Sequence, residues 1–122
     1  MPSHRVDEVA SSMKQDARFY RHLLDSLKDP FLFVDTDHVV RYLNRAAEGH
    51  YSQGAALLET SIFDCHSEPS NVVIRQVFAA MQAGEEERLI TDDDKHRIYM
   101  RAVRDEAGAL IGYYERYEPP RK

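Results

Sequence analysis

The stretch FLFVDTDHVVRYLNRAA, Phe31 to Ala47, decides how this chain folds. Phe31-Leu-Phe-Val-Asp35 is a short apolar run of strand formers. Thr36-Asp37-His38 supplies a turn, and Val39-Val-Arg-Tyr-Leu43 is a second strand. Two such runs around a short polar turn read as a β-hairpin. Asn44 then marks a helix start, because its side chain can accept from a free first-turn N–H. Arg45 to Glu48 is the helical piece it caps.

Upstream, Val6 to Lys28 reads as one helix. Its apolar positions are Val6, Ala10, Met13, Ala17, Tyr20, Leu24 and Leu27, in alternating steps of four and three. That is a heptad seam, weakened by its two alanines. Val6, Met13, Tyr20, Leu24 and Leu27 are its interface candidates. A surface helix packing on its own domain is the competing reading. Asp29-Pro30 stops the helix.

Downstream, Ala55 to Glu59 makes a short helical turn. An amphipathic helix follows over about Ser70 to Ala83, with Val73, Ile74, Val77, Phe78 and Met81 on one face and Gly84 after its end. Three strands close the chain: Glu87 to Thr91, His96 to Arg104 and Leu110 to Tyr117. Asp92-Asp93-Asp94 and Asp105-Glu-Ala-Gly108 supply the turns. Short turns make these strands an antiparallel meander. The sum is an α+β domain, one sheet with helices on one face.

Composition narrows the function. The chain has 122 residues, enough for one core, and 43% of them are hydrophobic. A net charge of −5 argues against nucleic-acid binding. No apolar run approaches the roughly 20 residues of a membrane span. The N-terminus lacks the apolar core of a secretory signal. One cysteine cannot form an internal disulfide, so a cytoplasmic location is expected.

The order of elements, with particular residues, resembles a PAS domain. The matching pieces are Phe33-Val-Asp35 with Asp37, Val40-Arg-Tyr-Leu-Asn44, Ala46-Ala47, Arg104-Asp-Glu-Ala-Gly108 and Ile111-Gly112. The resemblance spans roughly Leu23 to Tyr117. A narrower likeness, through Cys65-His66, Pro69-Ser70, Arg97-Ile-Tyr99 and Ala102-Val-Arg-Asp-Glu106, is to the PAS module of bacterial hemerythrin-linked proteins with a Cys-His-Pro-x-x-Ser motif. The resemblance implies a five-stranded antiparallel sheet in the order 2-1-5-4-3. Helices on one face would form a small-molecule pocket, and the N-terminal helix would make a homodimer. Many PAS domains have glycine where this chain has His38 and Glu59, which puts the local backbone in question there.

The pocket candidates are Phe33, Phe63, Cys65, His66, Val73, Ile74, Val77 and Met100. Alternation in the fourth strand sets Ile98, Met100 and Ala102 toward the helices and Tyr99, Arg101 and Val103 away from them. Cys65 and His66 precede a helix N-terminus, whose partial positive charge would favour a thiolate and a neutral imidazole. The plainer reading is that Cys65 packs as a small hydrophobe. Haem ligation by His66 stays open, although PAS domains that bind haem usually supply the histidine from the long helix itself. A structural metal would need distant partners such as His50 or His96. Flavin photochemistry is set aside, since its Asn-Cys-Arg-Phe-Leu-Gln motif is absent. A covalent chromophore on Cys65, as in photoactive yellow proteins, is only weakly echoed by Asn44-Arg-Ala-Ala-Glu-Gly49, which has one residue too many. No cofactor is therefore named.

The expected organisation is a dimerisation or cap helix over 1–28, a PAS domain over 29–118 and a tail over 119–122. The expected function is a stand-alone sensor or interaction domain, not an enzyme. It would bind a small ligand and signal through a dimer or a partner signalling protein, since no output segment follows its last strand. The alternatives are a small isomerase- or dehydratase-like α+β enzyme using His66 or Asp64, and a purely structural dimerisation module.

Overall fold

The computed structural model describes residues 15–121. Val6 and Met13 of the proposed seam lie outside them. The first described helix, α1, is Ala17–Asp25. The continuous helix expected over 6–28 is interrupted at Asp16, whose backbone is extended (φ −126°, ψ −175°). Its carboxylate accepts from the Phe19 N–H at 3.0 Å, so Asp16 starts a helix instead of continuing one. At the other end Ser26 caps α1, and Leu27 lies beyond it. None of the residues of α1 is buried.

The hairpin forms where the sequence puts it, as β1 (Leu32–Asp35) and β2 (Val40–Leu43). Leu32 and Val34 enter the core, so Phe33 points to the opposite face. A bulge opposite the Phe33–Val34 step lets both Val40 and Leu43 be buried although they are three apart. Asn44 does more than cap the next helix, α2 (Arg45–His50). Its Oδ1 accepts from Ala47 N–H at 2.8 Å and Phe31 N–H at 3.0 Å. Its Nδ2 donates to the carbonyls of Leu24 at 2.9 Å and Asp29 at 3.1 Å. One fully buried amide thus ties the end of α1, the start of β1 and the start of α2.

Two 3₁₀ turns follow, Gly54–Leu57 and Ile62–Cys65. The long helix α3 is Glu68–Gln82, with Ser67 as its cap. It begins earlier than Ser70 because Pro69 is tolerated in a first turn. Asn71, Ile74, Val77 and Met81 are its buried residues, whereas Val73 is 37% exposed. The meander is β3 (Glu87–Asp92), β4 (Arg97–Arg104) and β5 (Leu110–Glu118). All pairings are antiparallel, and the order is β2-β1-β5-β4-β3, as the resemblance implies.

The core sits between the inner sheet face and α3. Leu32, Val34, Met100, Ala102 and Tyr113 meet Ile74, Val77 and Met81 there. Burying each large apolar side chain contributes about 1.5–3 kcal/mol. The backbone at the two missing glycines is preserved: His38 and Glu59 both take left-handed φ, 65° and 69°. Such residues carry a conformational cost of about 1–2 kcal/mol. At His38 the ring offsets it, packing 4.8 Å from Phe63 and 4.6 Å from Phe78, with Nδ1 2.9 Å from the Tyr113 hydroxyl. At Glu59 an ion pair with Arg41 helps.

Candidate functional site

β5 is central in the sheet, so both its edges are paired and only its two faces remain to choose between. Tyr113, Glu115 and Tyr117 alternate onto the inner face. Glu115 therefore sits between Leu32 of β1 and Met100 of β4, each only 1% exposed. Glu115 itself is 9% exposed, a carboxylic side chain in the floor of the core. Among the described residues no cation pairs with it. Its recorded partner is the Tyr51 hydroxyl, which donates to Oε1 at 3.1 Å. Tyr51 follows α2 and is 2.7 Å, oxygen to oxygen, from Tyr117. Burial above all, and Glu115 next, push the phenols of Tyr51, Tyr113 and Tyr117 upward.

This group closes one end of a cavity of about 270 Å³ between α3 and the sheet. Val73, Ile74, Ile90 and Ile98 supply apolar walls. Ser70, Thr91 and His66 add polar ones. His66 Nδ1 lies 3.0 Å from the Ile62 carbonyl. A carbonyl only accepts, so Nδ1 carries a proton.

Of the pocket candidates, His66, Val73 and Ile74 line this cavity. Val77 and Met100 are solid core. Phe63 packs beside the core, its ring under the Arg75 guanidinium at 4.3 Å. Phe33 is a correction: it lies on the outer sheet face, over Gly112. Cys65 is half-buried, its thiol 3.3 Å from the Ile62 carbonyl and 3.2 Å from His66 Nδ1. Burial, then the Glu115 charge, push that thiol up, so the expected thiolate is also corrected. Desolvation outweighs the nearby helix end.

The space beside His66 does not fit haem. At about 270 Å³ it is below the roughly 300–1,000 Å³ of drug-sized ligand sites, and a porphyrin is larger than that space. His50 and His96 do not approach His66 as metal partners. They flank Tyr117 instead, with ring centroids 5.2 and 5.3 Å from it. No group of three or more metal-ligating side chains occurs among the described residues. Asp64, the other acid considered for catalysis, is exposed.

Glu115, Tyr51, Tyr117, Ile90 and Thr91 were absent from the sequence-based pocket, whereas Ile98 lines the cavity as the alternation of the fourth strand implied. The alternation Tyr113-Glu115-Tyr117 was the signal for two of the absent residues, Glu115 and Tyr117. A second, more polar crease lies between α1 and β2, and two of its charged side chains, Arg41 and Asp25, are already engaged. Arg41 pairs with Asp35 and Glu59, while Asp25 accepts from Tyr42 at 2.7 Å and from Arg45 N–H at 3.1 Å. No helix among the described residues is long and apolar enough to cross a membrane.

Comparison with known proteins agrees with this architecture. A search of curated proteins finds no significant match. Solved structures do match. The C-terminal domain of a Streptococcus mutans protein is 22% identical, with 88% of this chain and 86% of that one covered, at a TM-score of 0.72. The PAS domain of a Colwellia psychrerythraea protein is 11% identical, with 84% and 94% covered, at 0.64. A sensory box sensor histidine kinase from Vibrio cholerae is 16% identical, with 93% and 96% covered, at 0.60. The narrower likeness to hemerythrin-linked modules gains no support from these matches. The family model described as a PAS domain matches residues 20–117. With that match over most of the chain, and the sheet order it requires, the protein belongs to the PAS domain family.

Proposed function

We propose that this PAS domain is a sensory module that takes a small ligand into the cavity between α3 and the sheet and transmits occupancy through α1 to a second copy of itself. The observation that carries the reading is the cavity, with apolar walls and one polar end built on the buried Glu115. A few convergent polar groups in an apolar recess are what a specific small-molecule site needs. The helix supports the output half. Tyr20, Leu23 and Leu27 are 49%, 51% and 47% exposed. A groove lined by Leu27, Pro30, Phe31 and Tyr114 continues that strip onto the outer sheet face. The C-terminal end of α1 is tied to the sheet edge through Asn44 and Tyr42, so a shift of the sheet edge reaches the helix.

One experiment addresses both halves. Small fragments are screened by methyl NMR against the protein and its Val73→Trp variant, whose larger ring occupies the cavity. The same samples, with a Tyr20→Glu/Leu23→Glu variant added, are run in sedimentation velocity. Expected are fragment shifts at Ile74, Ile90 and Ile98 that Val73→Trp loses, and a dimer that the helix variant dissociates. Shifts confined to the surface would overturn the ligand reading. A monomeric protein, or a dimer indifferent to the helix variant, would overturn the output reading.

A further inference from the structure

The geometry points to the class of ligand: a small organic cation, an ammonium on a short apolar body. This rests on the cavity being a ligand site. The argument counts protons. Tyr51 and Tyr117 have one hydroxyl proton each, and the contacts within the Tyr51–Tyr117–Glu115 group, at 3.1 Å and 2.7 Å, use both. Glu115 keeps free acceptor capacity on its two oxygens. His66 turns its Nδ1–H to the Ile62 carbonyl and not into the cavity. Among the described residues, Ser70 and Thr91 supply the remaining hydroxyl donors of the walls, and no lysine or arginine lines the cavity. The polar end is therefore rich in acceptors and carries a buried carboxylate without a counter-charge.

A buried carboxylate is stable when a cation or several strong donors meet it. An ammonium brings the charge and three donors at once, and tyrosine faces add favourable cation–π contacts. An anionic ligand would meet Glu115 with no cation to offset the repulsion. A neutral alcohol would supply one donor and leave the charge unpaired. Ile74, Ile90, Ile98 and Val73 would hold the apolar body.

The test uses three matched probes, benzylammonium, benzyl alcohol and benzoate. Each is titrated to about 10 mM while the Ile74 and Ile98 methyl resonances are followed. Benzylammonium should bind at least about tenfold more tightly than benzyl alcohol, and benzoate should not bind. In Glu115→Gln the ammonium should lose its advantage over the alcohol. If Glu115→Gln does not fold, Tyr51→Phe decides, since it removes a neutral hydroxyl and keeps the charge. It should retain the preference, and losing it counts against the proposal. Alcohol or benzoate binding as tightly as the ammonium, or a preference that survives Glu115→Gln, overturns the cation class and leaves the ligand site standing. Failure of all three probes to move the cavity methyls overturns both.

Discussion

Glu115 and Glu118 lie on one strand and end in opposite surroundings. Glu118 faces outward and is held by two arginines, Arg97 at 3.0 Å and Arg116. Glu115 faces inward and meets only tyrosine hydroxyls. The same contrast runs through the sheet. Its outer face is a lattice of charge pairs laid over aromatic rings, as where Arg116 covers Tyr99 at 4.2 Å. Its inner face is a core with one unpaired acid in it. Strand period two chooses the face, and what covers that face then decides how a charge is satisfied. On the outer face the solvation of structure is complete without a ligand. On the inner face it is not.

The largest test of this contrast is to disturb the close approach of β1 to β5 at Gly112 on the outer face. A Cβ added at Gly112 would lie 2.3 Å from the Val34 carbonyl oxygen and 2.4 Å from the Phe33 ring. The ring can turn away, but the paired backbone cannot. Gly112→Ala should lower stability by roughly 3 kcal/mol or more, read as the shift in a urea unfolding midpoint. A loss under about 1 kcal/mol would mean that β1 and β5 separate easily, and the outer face would then not be rigid.

The same region shows what the sequence does and does not reveal. The hairpin, the Asn44 cap and the closing meander follow from turn residues and runs of strand formers, which are local signals. Phe33 is different. The run Phe31-Leu-Phe-Val34 is apolar throughout, so it has no alternation from which to choose a face. Pairing with β5 makes the choice, and it puts Phe33 over Gly112. Glu115 is hidden for a related reason. Tyr113-Glu115-Tyr117 and Tyr114-Arg116-Glu118 are equally amphipathic triplets, and only the position of α3 distinguishes them. Asp16 is a local signal that the heptad pattern masked, since an aspartate beginning a helix looks like a polar residue inside one. The site was therefore legible on α3 and at His66, where periodicity is strong. On the sheet floor it was legible in β4, where alternation turned Ile98 and Met100 inward, but not in β1 or β5.

A moderate effect should come from His38, which brings a titratable ring into the inner face at a position with left-handed backbone. Burial is the main force holding its pKa below 6.5. The Arg75 charge adds to that, and Asp35 and Asp37 act against it. The unfolded chain therefore takes up a proton at His38 before the folded one does. Stability from this group is present above about pH 6.5 and is lost as pH falls through the lower folded value. His38→Asn tolerates the same backbone and does not titrate. Thermal unfolding of both proteins from about pH 7 to about pH 5 should show the steeper decline in the parent. Parallel declines would assign the acid sensitivity to carboxylates instead and remove His38 from the inner-face account.

The smallest effect should come from the outer charge lattice. Arg116 reaches both oxygens of Glu87, at 3.1 and 3.3 Å, and also pairs with Glu118. Its side chain is 34% exposed, so solvent screens these pairs. The two-pronged contact with Glu87 and the stacking on Tyr99 keep the net contribution above that of an isolated surface pair. Arg116→Ala should lower stability by about 1 kcal/mol in dilute buffer, and high salt should narrow the difference from the parent. The comparison with the inner acid is what gives this number meaning. Removing charge from the solvated lattice loses a favourable but screened interaction. Removing it from Glu115, by Glu115→Gln, also relieves the desolvation of a carboxylate that no cation meets. The outer substitution should therefore destabilise the ligand-free protein more than the inner one does. The reverse order would show that Glu115 is already well satisfied by its tyrosines, and the inner face would then have no unmet charge for a ligand to complete.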